Sequence, residues 1–255
     1  MNSDSEAASG HSTSSLRAGF WRRFSALILD FLLVAVPVQI VVAIAFSLTG
    51  GAVQTQFGVH FTACNVVEAL PAGVELPNDY DEFKTCTVSL LGMPNAKFFS
   101  AQKNTKDGET YTVTFPLKAD GTPRDVTDVS WMATLALFLY LVLMEAHRGT
   151  TFGKRQLGIR VYDIDDLGRM RIGFVKAAKR KLIMVSPVIF LLCLSTVLAP
   201  ESLAELERSL FNPIPWIFFA MTMLFYIWII VSVVRMVDPI YDRLAGTTVR
   251  RVDGK

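Results

Sequence analysis

The residues best placed to do chemistry in this chain are ionisable groups set inside or against apolar runs. Asp30 lies six residues beyond Phe24, within an apolar stretch. At 1.5 Å per residue of helix it sits about 10 Å beyond Arg23. An acidic side chain near the centre of a membrane helix costs about 2.5–3.5 kcal/mol on insertion scales, and less near the interface, so something must offset it. Arg23 projects from the same face two turns earlier, which is a long reach for direct contact. A partner from another helix, or water, is the better expectation. Glu145 closes a second apolar run. Asp238 and Asp242 follow the last one, with Pro239 breaking any helix between them. Read alone, Asp238 fits an N-cap before a proline at the first helical position, and Asp242 a cap or a solvated turn residue. Ionisable groups in membrane runs commonly mark ion pathways, so the chemistry suggested is proton or cation translocation. The structural alternative is a buried polar network that ties helices together.

The elements that must position these groups are apolar. Of 255 residues, 51% are hydrophobic and 19% charged, against about 25% charged in ordinary soluble domains. The excess gathers into four runs, at about 24–48, 129–145, 182–198 and 214–234. A bilayer core needs roughly 20 helical residues, and four such runs in one chain argue against a soluble core. Trp131 and Trp216 stand near run starts, where amphipathic rings favour the membrane interface. The expectation is an all-α membrane fold of four transmembrane helices, residues 17–252, behind a disordered tail at 1–16. It is interrupted by a small β-rich extracytoplasmic insert at 49–128.

Charge sets the expected orientation. The formal total is +2, which excludes a strongly basic nucleic-acid binder. Segments 1–23, 146–181 and 235–255 together hold 18 Lys or Arg against 8 acids, whereas 49–130 and 199–213 hold 7 against 13. Basic residues accumulate on the cytoplasmic side. Both termini are therefore expected in the cytoplasm, and the chain in the cell (inner) membrane as a multi-pass protein.

In the insert, Thr85–Leu91 and Thr110–Lys118 alternate with period two, the strand signature. The turn-rich Asn104–Gly108 between them suggests a hairpin. A third strand is expected near Phe57–Cys64. Cys64 and Cys86 fall here, and outside the cytoplasm they could form a disulfide or remain free thiols. Cys193, inside a run, reads as packing. Three scattered histidines and three cysteines give no metal-ligand spacing, so no metal and no cofactor are expected.

Three motifs, each beside an apolar run, resemble the RDD family of membrane proteins. They are Arg17-Ala-Gly-Phe-Trp-Arg22-Arg23 through Asp30, Gly149-Thr-Thr-Phe-Gly153-Lys154-Arg155-Gln-Leu-Gly158, and Tyr241-Asp242-Arg-Leu-Ala-Gly246-Thr247. The resemblance covers about 17–48 and 129–252 and leaves the insert unexplained. It implies a multi-span protein, cation/proton exchange or other transport in some members, and roles for an Arg and two Asp. These map to Arg23 (with Arg22 as competitor), Asp30 and Asp242. Gly149, Gly153, Lys154, Gly246 and Thr247 belong to the family's loop motifs.

The Gly149 segment is not a phosphate-binding P-loop. It has three residues between its glycines, not four, and Arg after its Lys. The glycines suit a tight reversal, with Lys154 and Arg155 at lipid phosphates. Leu157–Ile164 alternates and, with a turn at 165–168, suggests a short cytoplasmic hairpin. The stretch 169–181 reads as a basic amphipathic helix. It serves as a topology signal or a site for anionic lipid head groups. No Gly-x-Ser-x-Gly elbow or histidine-based triad appears, so an enzyme is not expected. The preferred function is small-solute or cation/proton transport through Asp30, with Arg23 and Asp242 setting its charge and a homo-oligomer as the working form. The alternative is a scaffold whose insert binds a partner.

Overall fold

The computed structural model describes residues 17–74, 76, 80–104, 110–123, 126–166, 171–197 and 213–252. The expected tail at 1–16, the turn residues 105–108, Leu167 and Gly168 of the turn at 165–168, the first residues of the basic stretch and the loop 199–212 lie outside them. The chain divides into two compact units. One comprises 1–30 with 140–255, and the other 31–139.

The unit 31–139 contains most of helix α1 (Phe20–Leu48) and the start of α2 (Ser130–Arg148). Between them the strands β2 (Phe61–Val66), β3 (Glu82–Leu90), β4 (Met93–Asn104) and β5 (Thr110–Pro116) form an antiparallel sheet in that order. The expected hairpin of two alternating stretches is corrected, because β4 lies between them. This strand is flanked on both edges and mixes buried positions on both faces, so it shows no period of two. Leu91 and Gly92 both take positive φ in the turn from β3 to β4, the geometry of a tight hairpin. Phe99, Ala101, Leu117 and Val74 form its core, with Phe83 stacked on Phe99. The parallel pair β1 (Val53–Gln54) and β6 (Thr127–Asp128) frames this module. Buried Gln54 fixes it by donating to the Leu117 and Gly51 carbonyls and accepting from the Lys97 amide. Cys64 and Cys86, direct partners across β2 and β3, are bonded.

The other unit is built around chain ends that meet. It holds the first turns of α1, the last turns of α2, and the short α3 (Phe152–Gln156). β7 (Ile159–Asp163), α4 (Phe174–Val197), α5 (Pro213–Val234), α6 (Ile240–Ala245) and β8 (Thr247–Arg251) follow. β7 does not fold into a local hairpin. It pairs antiparallel with β8, placing Val161 opposite Val249, both fully buried. Ala18 donates to the Val249 carbonyl, so the start of α1 is tied to this ribbon. α4 and α5 run side by side, with the Tyr226 hydroxyl on the Met184 carbonyl and Phe190 against Phe218.

The expected all-α fold of four transmembrane helices is therefore corrected on two counts. The chain is about half helix and about a quarter strand, and among the described residues three helices are long and apolar enough to cross a membrane: Phe20–Leu48, Ser130–Arg148 and Ile214–Val234. α4 is not among these three. Lys176, Lys179, Arg180 and Lys181 occupy its first two turns, and its described part ends at Val197.

The Cys64–Cys86 bond closes a loop with a sequence separation of 22, for which chain entropy gives about 3 kcal/mol. Replacing both cysteines by serine should lower the unfolding temperature of the β-module, followed by near-ultraviolet circular dichroism. Reductant should reproduce the loss in the unsubstituted protein and leave the serine variant unchanged.

Candidate functional site

Asp30 ends the first unit's share of α1, and it is buried. Three donors surround its carboxylate. The Tyr140 hydroxyl and the Gly153 amide donate to Oδ1 at 3.0 and 2.8 Å, and the Thr151 hydroxyl donates to Oδ2. Thr151 is also the N-cap of α3, its hydroxyl accepting from the Lys154 amide. The Tyr140 hydroxyl in turn accepts from the Phe152 amide. Asp30 thus anchors the turn that opens α3. The close approach explains the glycine. A Cβ on Gly153 would stand 2.1 Å from the Ala26 carbonyl oxygen. Gly149 and Gly158 take positive φ at either end of the segment, the freedom a tight reversal needs.

Arg23 does not meet Asp30. Its guanidinium donates at 3.1 Å to Asp242, and also to the Ala18 and Val249 carbonyls. Arg22, the competing candidate, donates instead to the Leu157 carbonyl. Asp242 is fully buried, not a solvated turn residue. Besides Arg23 it meets Arg180 Nε and accepts from the Thr247 hydroxyl. Gly246 takes the left-handed conformation that ends α6 and turns the chain into β8. Asp238 is no N-cap. It pairs with Arg17 at 3.2 Å and accepts from the Thr248 hydroxyl, while Pro239 itself occupies the cap position.

Glu145 is the centre of the network. Fully buried, it meets three cations: Lys154 from α3, and Arg180 and Lys181 from α4, the latter two at 2.8 and 2.9 Å. Lys154 therefore points inward to Glu145 instead of lying on the outer surface of its segment. Arg180 bridges Glu145 to Asp242 and lies 5.5 Å from the Tyr241 ring centre. The cluster thus comprises Arg23, Lys154, Arg180 and Lys181 around Glu145 and Asp242, with Asp30 held separately by neutral donors. Cations outnumber the carboxylates they face.

Sequence reasoning named Arg23, Asp30, Glu145, Lys154 and Asp242 but missed Arg180, Lys181, Tyr140 and Thr151. The two basic residues were hidden in a pattern that a solvated amphipathic helix would share. Their signal was position, since they immediately precede the uncharged part of α4 as Glu145 closes that of α2. Gly149, Gly246 and Thr247 prove to shape the turns around the cluster.

The crowding has a consequence for pH. Burial, reinforced by Arg180 and Lys181, pushes the Lys154 amine down from 10.5 to about 7, although Glu145 pulls the other way. In the unfolded chain the amine keeps its ordinary value. Below about pH 7 the folded protein therefore bears the full penalty of this cation, and the penalty fades as the proton leaves between about pH 7 and 10.5. Stability from this group rises with pH. In Lys154→Met that rise should be absent, so the melting temperature of the unsubstituted protein should gain on the variant's from about pH 6 to about pH 9. A constant difference would contradict the assignment.

No curated protein and no solved structure gives a significant match to this chain. The model of the RDD family matches residues 85–246. The matched stretch takes in Glu145, the Gly149–Gly158 segment, Arg180 and Asp242, and also most of β3 with all of β4 and β5. The opening motif with Arg23 and Asp30 precedes it. A match over more than half the chain, together with apolar helices able to cross a bilayer, identifies the protein as a membrane protein that belongs to the RDD family.

Proposed function

We propose that the protein carries out proton-linked movement of a cation or small solute, with the Lys154–Glu145 pair as its proton-responsive centre. The observation that supports this most is the burial of Lys154, Arg180, Lys181, Glu145 and Asp242, with Arg23 half-buried beside Asp242, where α1, α2, α3, α4 and α6 meet. Each buried ion costs several kcal/mol of desolvation, and apolar side chains of similar volume commonly hold a core as well or better. A network that does more than hold is one in which a proton or ion can change the balance. Asp30, the first choice on sequence grounds, fits that role less well, since all its strong contacts are to neutral donors that fix α3. It serves in this reading as a positioning residue.

In this reading the charged cluster faces the cytoplasm of a cell membrane, in line with the basic residues of 1–23, 146–181 and 235–255. So few spans per chain favour a homo-oligomer as the working form. A second reading, a scaffold that recruits a partner through the insert, has one observation in its favour. β2 is exposed along its whole length, with Phe61 and Val66 about two-thirds accessible, and such an edge is open to strand pairing.

Purified protein in liposomes loaded with a pH-sensitive dye separates the readings. Proton flux driven by sodium, potassium or lithium gradients should change most steeply near pH 7. Lys154→Met should lower it at least tenfold. Flux that is absent in the unsubstituted protein, or unchanged in the folded variant, overturns the transport reading.

A further inference from the structure

A cavity of about 260 Å³ opens beside the charged cluster, entirely within the unit formed by 1–30 and 140–255. Its lining joins two chemistries. Arg23, Lys154, Arg180 and Lys181 line it together with the Asp30 carboxylate. Phe24, Leu27, Leu141, Met184, Ile230 and Val233 add an apolar wall drawn from α1, α2, α4 and α5. Phe24, Leu27 and Ile230 are 44%, 39% and 45% accessible. The apolar wall is thus continuous with the exposed apolar surfaces of α1 and α5.

From this geometry we infer that the cavity holds the headgroup end of an anionic membrane phospholipid, with the phosphate at the basic side chains and the first methylenes along the apolar wall. Charge complementarity selects the occupant. Four cations share the site with three carboxylates, Glu145, Asp242 and Asp30, so one positive charge is left over, which a singly charged phosphodiester would balance. Donors remain to bind it. Each lysine ammonium has three, and Lys154 and Lys181 each place their ammonium group against the same oxygen, Glu145 Oε1. Arg180 Nε faces Asp242 without an aligned hydrogen bond. Charge-assisted bonds from such groups to phosphate are stronger than neutral ones. A free phosphate would use the basic side chains and leave the apolar wall unused. The cavity is too small for a whole lipid, whose acyl chains would continue into the surrounding bilayer. The inference does not depend on whether the protein transports anything.

The test uses the full chain in detergent micelles doped with one lipid at a time, with thermal unfolding as the readout. Phosphatidylglycerol should raise the unfolding temperature in a saturable way, with an apparent affinity about tenfold or more above that of zwitterionic phosphatidylcholine, the ratio a charge-assisted bond supplies. Inorganic phosphate at the same concentration should give no comparable shift. Ile230→Trp, which fills the apolar wall and leaves every charge in place, should abolish the phosphatidylglycerol shift while the lipid-free unfolding temperature stays close to that of the unsubstituted protein. If Ile230→Trp fails to fold, Leu27→Trp probes the same wall, and the comparison between lipids stands without either variant. Equal shifts from both phospholipids, a full shift from inorganic phosphate alone, or a shift retained in a folded wall variant would each overturn the inference.

Discussion

A single buried carboxylate, Glu145, gathers the charged end of this protein. Three cations from two other elements converge on it, and one of them, Arg180, reaches on to Asp242 and so to Arg23 at the start of α1. Segments distant in sequence are held through this chain of contacts. In a low-dielectric setting each ion depends on the others, because losing one partner leaves an uncompensated charge that costs about 3–5 kcal/mol. The same dependence makes the cluster responsive to protons. With cations in excess around Glu145, the amine pushed toward neutrality is Lys154, the one carried by the short α3.

Hydrogen bonds from uncharged donors do the finer positioning. Asp30 fixes the opening of α3, and Gly153 lets that turn approach the Ala26 carbonyl closely enough for its amide to reach Asp30. The β7–β8 ribbon, tied to Ala18, then aligns the start of α1 with the end of α6. Holding and charge balance are therefore divided between two sets of contacts that meet in α3, where Thr151 bonds Asp30 and Lys154 bonds Glu145.

Much of this was legible in the sequence, and the misses have physical causes. Apolar runs announced α1, α2 and α5, since lipid-facing helices must be apolar along their length. The third run suggested a span too, yet α4 carries four cations in its first two turns. Arg23, Asp30 and Asp242 could be named from their motifs, but their pairing could not. Helical spacing put Arg23 and Asp30 on one face and said nothing of the Arg180 that Asp242 would meet. Tyr140 and Thr151 escaped notice because a lone hydroxyl in or beside an apolar run has no pattern. β4 was invisible because a central strand need not alternate, and the pairing of β7 with β8 joins segments whose sequences hold no record of each other.

The central claim is that Glu145 and Asp242 act as one unit through Arg180. A double-mutant cycle on unfolding free energy, with Glu145→Gln, Asp242→Asn and the pair together, tests it most directly. In each single variant Arg180 keeps one carboxylate, and in the double variant it has none. The account predicts that the double variant loses more stability than the two singles combined, by about 0.5–3 kcal/mol. Losses that add to within about 0.5 kcal/mol would show two independent ion pairs and contradict it.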